Sequence, residues 1–251
     1  MGVTPEEVVA DLRAAGCVFA EDEAGLLLET GAEGLAERVR RRVAGEPLEH
    51  LLGWAAFDGA RVPVDTGVFV PRRRTEYLVD LAAPLLGPGD VAVDLCCGCG
   101  AVGIALAARV PGAEVHAADL DPVATACAAR SLPRVHTGDL FAALPPDLRG
   151  RVAVIAVNAP YVPTDEIAMM PAEARDHEPR TALDGGHDGV GFHRRITAEA
   201  PHWLAPGGHL LIETSRRQAP LTAAALTEAG LTTQVHHDPE RDSTIAHGTA
   251  Q

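Results

Sequence analysis

The stretch Val91-Ala-Val-Asp-Leu-Cys-Cys-Gly-Cys-Gly100 constrains this chain more than any other. Its first five residues form a short, nearly continuous apolar run, the pattern of a buried strand. Gly98 and Gly100 then permit a tight turn, and the Ala-rich run from Ala101 to Arg109 reads as a helix. In a strand, turn and helix of this kind the glycines let a ligand approach the backbone. The helix N-terminus leaves unpaired N–H groups beside the loop. The spacing is Asp-x-x-x-Gly-x-Gly, not the Gly-x-Gly-x-x-Gly of a dinucleotide site, and no Gly-Lys-Ser/Thr follows for a nucleoside triphosphate. A nucleoside-like ligand is the expectation.

Two further acids sharpen it. Asp119 ends the predicted strand Glu114–Ala118, where a carboxylate can take both ribose hydroxyls. Asp121 precedes Pro122 and is the better cap for the next helix, which frees Asp119. Asp139, in Thr137-Gly-Asp-Leu140, ends the next strand and can accept from an adenine amino group. Further strands are predicted at Arg134–His136, Val152–Val157, His209–Glu213, Leu231–His237 and Ser243–His247, with helices between most of them. This alternation predicts an α/β fold with a mostly parallel, seven-stranded sheet. Asp94, Asp119, Asp139 and Asn158 then share the C-terminal strand edge, where such sheets bind ligands.

Upstream, residues 1–52 read as a small helical unit that caps the site or recognises a partner. It opens on the capping signal Thr4-Pro-Glu-Glu7. Helices are expected near Ala20–Glu29 and Ala32–Val43. Residues 53–89 read as a linker with a hairpin turning at Asp58-Gly59 and a helix from about Arg72 to Leu86. Residues 90–251 form the main domain.

The 251 residues carry a formal net charge of -14, with 35 acids and 21 bases, a field that repels free nucleic acid. The clusters Arg38–Arg42 and Arg72–Arg74 read as ion-paired or solvated. No run is long enough for a membrane span and no secretory leader is recognised, so a cytoplasmic chain is expected. Five cysteines, three of them at positions 96, 97 and 99, form neither a disulfide framework nor a zinc site, and no metal is expected. His177, His187 and His193 read as surface or hydrogen-bonding residues, and Met169-Met170 as loop packing.

The chemistry is carried by Asn158-Ala-Pro-Tyr161, delivered by a buried strand to the ligand edge. Asn158 offers a side-chain carbonyl, and Ala159 and Pro160 offer backbone carbonyls. Pro160 restricts Ala159 to extended dihedrals. Tyr161 supplies a flat ring. Such a loop suits a planar NH2 group, two acceptors taking its two hydrogens while the nitrogen faces a sulfonium methyl donor. An amide nitrogen is a poor nucleophile, so orientation and stabilisation of its developing charge are what a protein can supply.

Taken together these motifs resemble the class I S-adenosylmethionine-dependent methyltransferases, and more narrowly the protein-(glutamine-N5) methyltransferases that modify peptide-chain release factors. Gly45-Glu-Pro-Leu48, Leu51-Leu-Gly-Trp54, Phe57 and Val68-Phe-Val-Pro-Arg72 with Thr75-Glu76 are similar to that family's linker. Glu178-Pro179, Ala182-Leu183 and Gly186-His-Asp-Gly189 resemble its substrate-side loop. Ala159 stands where the family has proline, and Glu213-Thr-Ser215 departs from its usual acid and glycine. The resemblance implies a Rossmann-like fold and S-adenosyl-L-methionine as cofactor. Its cofactor residues correspond to Asp94, Cys96, Gly98, Gly100, Asp119, Leu120, Asp139, Leu140 and Asn158. Asn158, Ala159, Pro160 and Tyr161 would hold the glutamine amide, and Phe69, Pro71 and Glu178 would line its approach. A monomer acting on a glutamine-bearing protein such as a release factor is expected, without stable nucleic-acid binding. Alternatives are an amino-methyltransferase acting on adenine or cytosine, and a non-catalytic S-adenosylmethionine-binding protein.

Overall fold

A computed structural model describes residues 4–251; the first three residues of the predicted 1–52 unit lie outside it. Four helices open the chain: α1 (Pro5–Ala14), α2 (Ala20–Glu29), α3 (Leu35–Val43) and α4 (Leu48–Leu52). Thr4 and Glu7 form the expected reciprocal cap on α1. Val8, Leu12, Leu27, Leu35, Val39 and Leu51 close a small core between these helices. The arginines of α3 are tied down, Arg38 to two backbone carbonyls and Arg40, Arg41 and Arg42 to carboxylates. The five residues of α4 were not expected, because so short a segment carries no readable period.

The hairpin is built from β1 (Trp54–Phe57) and β2 (Ala60–Pro63), one residue earlier in its second strand than expected. Asp58 and Gly59 both have positive φ, 51° and 74°, which suits a two-residue hairpin turn. The helix expected over 72–86 is divided into a 3-10 turn at Arg73–Thr75, α5 (Glu76–Ala82) and a second 3-10 turn at Ala83–Leu85, with Pro84 near its start. Val62, Val64, Val68, Val70, Leu78 and Val79 pack against the main sheet, so this segment shares a core with residues 90–251.

The remaining elements are β3 (Val91–Leu95), α6 (Ala101–Arg109), β4 (Glu114–Asp119), α7 (Pro122–Ala128), β5 (Val135–Thr137), β6 (Val152–Val157), α8 (Ala172–His177), α9 (Gly191–Glu199), β7 (Leu204–Thr214), α10 (Ala219–Glu228), β8 (Thr232–Asp238) and β9 (Ser243–Thr249). Among the described residues the main sheet has seven strands, in the order β5-β4-β3-β6-β7-β9-β8. The first five are parallel, while β9 runs antiparallel to β7 and β8. Alternate residues of each strand serve opposite faces. Ala92, Val154 and Leu211 join α5, α6 and α7 on one face. Val93, Ile155 and Ile212 join α9 and α10 on the other. Leu106, Ile155 and Leu211 have no exposed surface, and each such side chain contributes on the order of 2 kcal/mol.

β7 begins at Leu204, five residues before the expected start. The Pro206-Gly-Gly208 segment, expected to precede the strand, lies inside it as an irregularity in the β6 pairing. The strand order reverses between β3 and β6. The chain first winds outward through β4 and β5, then returns to the other side of β3. That reversal opens a crevice at the C-terminal strand ends.

Candidate active site

The crevice is a cavity of about 630 Å³, within the range of small-molecule sites. Its wall includes Asp94, Cys96, Gly98, Asp119, Leu120, Asp139, Leu140, Asn158, Ala159, Pro160 and Tyr161. Phe69, Pro71 and Glu178 line it too, from the segment before α5 and the loop after α8. Gly100 does not. It sits at the start of α6 with φ 80°, where a Cβ would lie 3.0 Å from both Ala128 Cβ and Leu132 Cδ1. Its role is to let the helix start close against its neighbour.

Cys96 holds φ at 60°, an uncommon value for a side chain with a Cβ, just where β3 turns into the glycine loop. The carboxylate of Asp119 is oriented by two backbone donors, Gly98 N–H at 2.9 Å to Oδ2 and Asp121 N–H at 2.9 Å to Oδ1. Asp121 itself caps α7 through Val123 N–H at 2.8 Å, as expected. Burial raises the Asp119 pKa against these donors. Asp94 is 2% exposed and accepts Gly103 N–H at 2.8 Å, so its carboxylate joins β3 to α6 while touching the cavity. Burial pushes it up to about 7. Asp139 stands at the rim and pairs with Arg195 at 2.6 Å. The thiols of Cys96, Cys97 and Cys99 are free, and burial raises all three.

At the other wall, Asn158 Nδ2 donates to Thr75 Oγ1 at 3.3 Å. No described residue donates to Asn158 Oδ1. Ala159 is 1% exposed, and its carbonyl accepts from no described backbone or side-chain group. Buried carbonyls are nearly always paired, so the Ala159 carbonyl stands out as an unpaired acceptor, beside the partly exposed Asn158 side chain. Tyr161 is held at both ends. Its hydroxyl donates to Glu213 Oε1 at 3.3 Å, and Gln218 Nε2 donates to its carbonyl at 2.8 Å. Burial, then the Glu213 charge, push the phenol up to about 12, so it stays protonated.

Several site residues lay outside the expected set. Arg72 reaches Glu178 at 2.6 Å, and Val70 N–H donates to the same oxygen at 3.3 Å. Arg74 Nε donates to Glu213 at 3.2 Å. The Arg72–Arg74 cluster is thus largely ion-paired, inward toward the site. Phe192 and Thr181 line the cavity, as does Met170, which was expected only to pack; Met169 is 75% exposed rather than packed. Glu213 carried a readable signal: an acid closing the apolar run Leu210-Leu-Ile at the ligand edge. Arg74 and Thr75 were visible in the basic cluster and the linker motif but not as site residues, because their contacts span 139 and 83 residues of sequence. Of the histidines, His193 is buried and bonds Thr222 Oγ1 at 2.9 Å.

A family model for the methyltransferase small domain matches residues 73–167. The release factor glutamine methyltransferase of Streptomyces coelicolor is 40% identical over 190 residues, covering 72% of this chain and 67% of the relative. That of Geobacter sulfurreducens is 35% identical over 198 residues, covering 76% and 69%. The chain belongs to the release factor glutamine methyltransferase family. It is accordingly an S-adenosylmethionine-dependent methyltransferase. A solved methyltransferase from Pyrococcus furiosus, 15% identical, aligns with a TM-score of 0.57 over 85% of this chain and 98% of that one, a likeness of fold.

The donor set fits the family's cofactor. Asp119 offers free lone pairs beside a glycine loop, the arrangement that suits a ribose. Largely apolar walls run from there past Leu120 and Leu140. Among the described residues no group of three or more His, Cys, Asp or Glu could hold a metal ion. No described helix is long and apolar enough to cross a membrane.

Proposed function

We propose that this chain methylates the side-chain amide nitrogen (N5) of a glutamine in a peptide-chain release factor. The observation that carries this reading is the pair of unpaired acceptors on one wall, Asn158 Oδ1 and the Ala159 carbonyl. S-adenosylmethionine, when bound, supplies an electrophilic methyl group. Asp119 binds the ribose, Asp139 lies toward the adenine, and the Cys96–Gly98 turn borders the amino-acid end.

Asn158 and Ala159 take the two hydrogens of the incoming amide and point its nitrogen across the cavity. Pro160 fixes the Ala159 backbone, and the Tyr161 ring supports the amide plane. Both acceptors interact more strongly as positive charge builds on nitrogen, so they favour the transition state over the bound substrate. After transfer that nitrogen is strongly acidic and releases its proton without a dedicated base. Phe69, Pro71 and the Arg72–Glu178 pair line the approach. Residues 1–52 serve as the substrate-recognition unit, residues 53–89 as the hairpin linker and helix, and residues 90–251 as the catalytic domain. The chain acts as a cytoplasmic monomer without stable nucleic-acid binding.

Incubation of the purified chain with isotopically labelled S-adenosylmethionine and a release factor tests the reading. Peptide mass spectrometry should place one labelled methyl group on one glutamine side chain. Label appearing on nucleic acid instead, or on no glutamine, would overturn it.

A further inference from the structure

Arg72 lines the cavity beside Phe69, Pro71 and Glu178, and its guanidinium is only partly used. One terminal nitrogen donates to Glu178 Oε1 at 2.6 Å. The other two nitrogens meet no hydrogen-bond acceptor among the described residues. An arginine carries five N–H donors in a flat fork and is always charged. The Arg72 side chain keeps 32% of its surface open, while that of Glu178 keeps 1%. The edge that Glu178 does not take is the one left to the cavity.

The fork is held still. Its central carbon lies 4.9 Å from the centroid of the Phe69 ring, within cation–π reach. Val70 N–H donates to the same Glu178 oxygen at 3.3 Å. His50 Nε2 donates to the Val68 carbonyl at 2.8 Å, because a carbonyl only accepts. The segment Val68–Arg72 is thus pinned from α4 and from the loop after α8. A donor braced in this way loses little freedom when a ligand meets it.

The chemistry of the pair selects the partner. A contact of 2.6 Å between a guanidinium and a carboxyl oxygen is that of a charge-assisted bond. An anion on Arg72 would meet the Glu178 charge beside it, so a phosphate or a carboxylate is a poor partner. A neutral carbonyl oxygen is a good one. The oxygen of the reacting amide is unsuitable, since a cationic donor there would draw the nitrogen lone pair further into the carbonyl and weaken the nucleophile. The acceptors that remain are the main-chain carbonyls of the segment that carries the glutamine.

We propose that Arg72 is a substrate-binding residue whose free edge donates to a main-chain carbonyl beside the target glutamine, with Glu178 as the positioning residue that aims it. The inference rests on the glutamine-methylation reading of the site. The approach wall then supplies a donor to set against the acceptors at Asn158 and Ala159, and the glutamine is read as part of a peptide rather than as a free amide.

The test is steady-state methylation of release factor by the full chain, with S-adenosylmethionine affinity and melting temperature measured on each variant. Arg72→Met strands the buried Glu178 charge, so the Arg72→Met, Glu178→Gln double variant accompanies it. In both, KM for release factor should rise about 10-fold or more, as for a lost hydrogen bond to a charged group. The larger part of the loss should lie in KM rather than kcat, with cofactor affinity held. Arg72→Lys can keep the ion pair but not the flat fork, and should recover only part of the loss. Glu178→Leu should raise KM as well, and Glu178→Gln, whose carbonyl still accepts from Arg72 and Val70, should restore most of it.

Parental KM in the folded double variant or in Arg72→Lys would overturn the inference, as would a loss confined to kcat. So would a rise in KM seen only at low salt, which would mark an anion on Arg72. In those cases the parent chain still methylates glutamine, and the reading of the site survives. A parent chain that methylates no glutamine overturns both.

Discussion

Gly98 N–H donates to Asp119 Oδ2 at 2.9 Å, joining the glycine loop after β3 to the end of β4. One carboxylate thereby shapes the loop and keeps lone pairs for a ligand. A second donor, Asp121 N–H, holds the other oxygen. The two halves of the cofactor wall cannot move independently.

Replacing Asp119 with Ala removes the proposed ribose acceptor and the loop's anchor together. S-adenosylmethionine affinity should fall by about 2 kcal/mol or more, roughly 30-fold, in line with the loss of hydrogen bonds to a charged group. Isothermal titration calorimetry measures it. Asp119→Asn should lose less, since one acceptor oxygen remains.

Asn158→Ala should separate binding from chemistry. The side chain bonds Thr75 and lines the cavity, while the proposed polar partners of the cofactor lie on β3 and β4. Cofactor affinity should be nearly unchanged and kcat should drop by about 100-fold or more. Calorimetry and single-turnover methyl transfer measure the two effects independently.

Gly189 has φ 76°, and a Cβ there would lie 2.0 Å from Gln218 Nε2 and 2.3 Å from the Tyr161 carbonyl. Gln218 uses that nitrogen to bridge the Tyr161 and Asp188 carbonyls. Gly189→Ala should therefore cost about 3 kcal/mol of stability, read from the denaturation midpoint. It should also reduce turnover, because Tyr161 loses the clamp on its backbone.

His193 supplies a pH signature. Burial, then the neighbouring Arg194 charge, hold its pKa down to about 4, against 6.5 unfolded. Below pH 6.5 the unfolded chain gains a proton that the folded chain refuses until about pH 4, so stability falls as pH falls through that window. Asp94 works in the opposite sense. Its pKa is raised to about 7 in the fold, so its contribution improves on acidification. The two are resolved by substitution. Between pH 7 and pH 5, the parent chain should lose about 2 kcal/mol relative to His193→Gln. Urea denaturation at both pH values checks it; equal slopes would contradict the assignment.

Much of the fold was legible in local pattern. The apolar runs of β3 and β6, the cap at Thr4 and the turn at Asp58-Gly59 each depend on a few adjacent residues, so their sequence carries the information. The elements that escaped were short or conditional. α4 and α8 are too brief to display a period, and the early start of β7 depends on pairing with β6 across its irregular glycines. The linker motif was visible as a resemblance, but its contacts were not.

The sequence by itself determined that several ligand-facing polar groups end parallel strands, because strand ends and glycine turns are local properties. Only the tertiary structure decided that β3 and β6 are neighbours at the reversal of strand order, which brings Asp94 and Asn158 to one crevice. It also decided that Thr75 meets Asn158, that Glu213 receives Arg74 and Tyr161, and that Asp139 pairs with Arg195. Those hydrogen bonds join residues far apart in the chain. They exist only after hydrophobic burial has fixed the layers, and no short-range pattern can encode them.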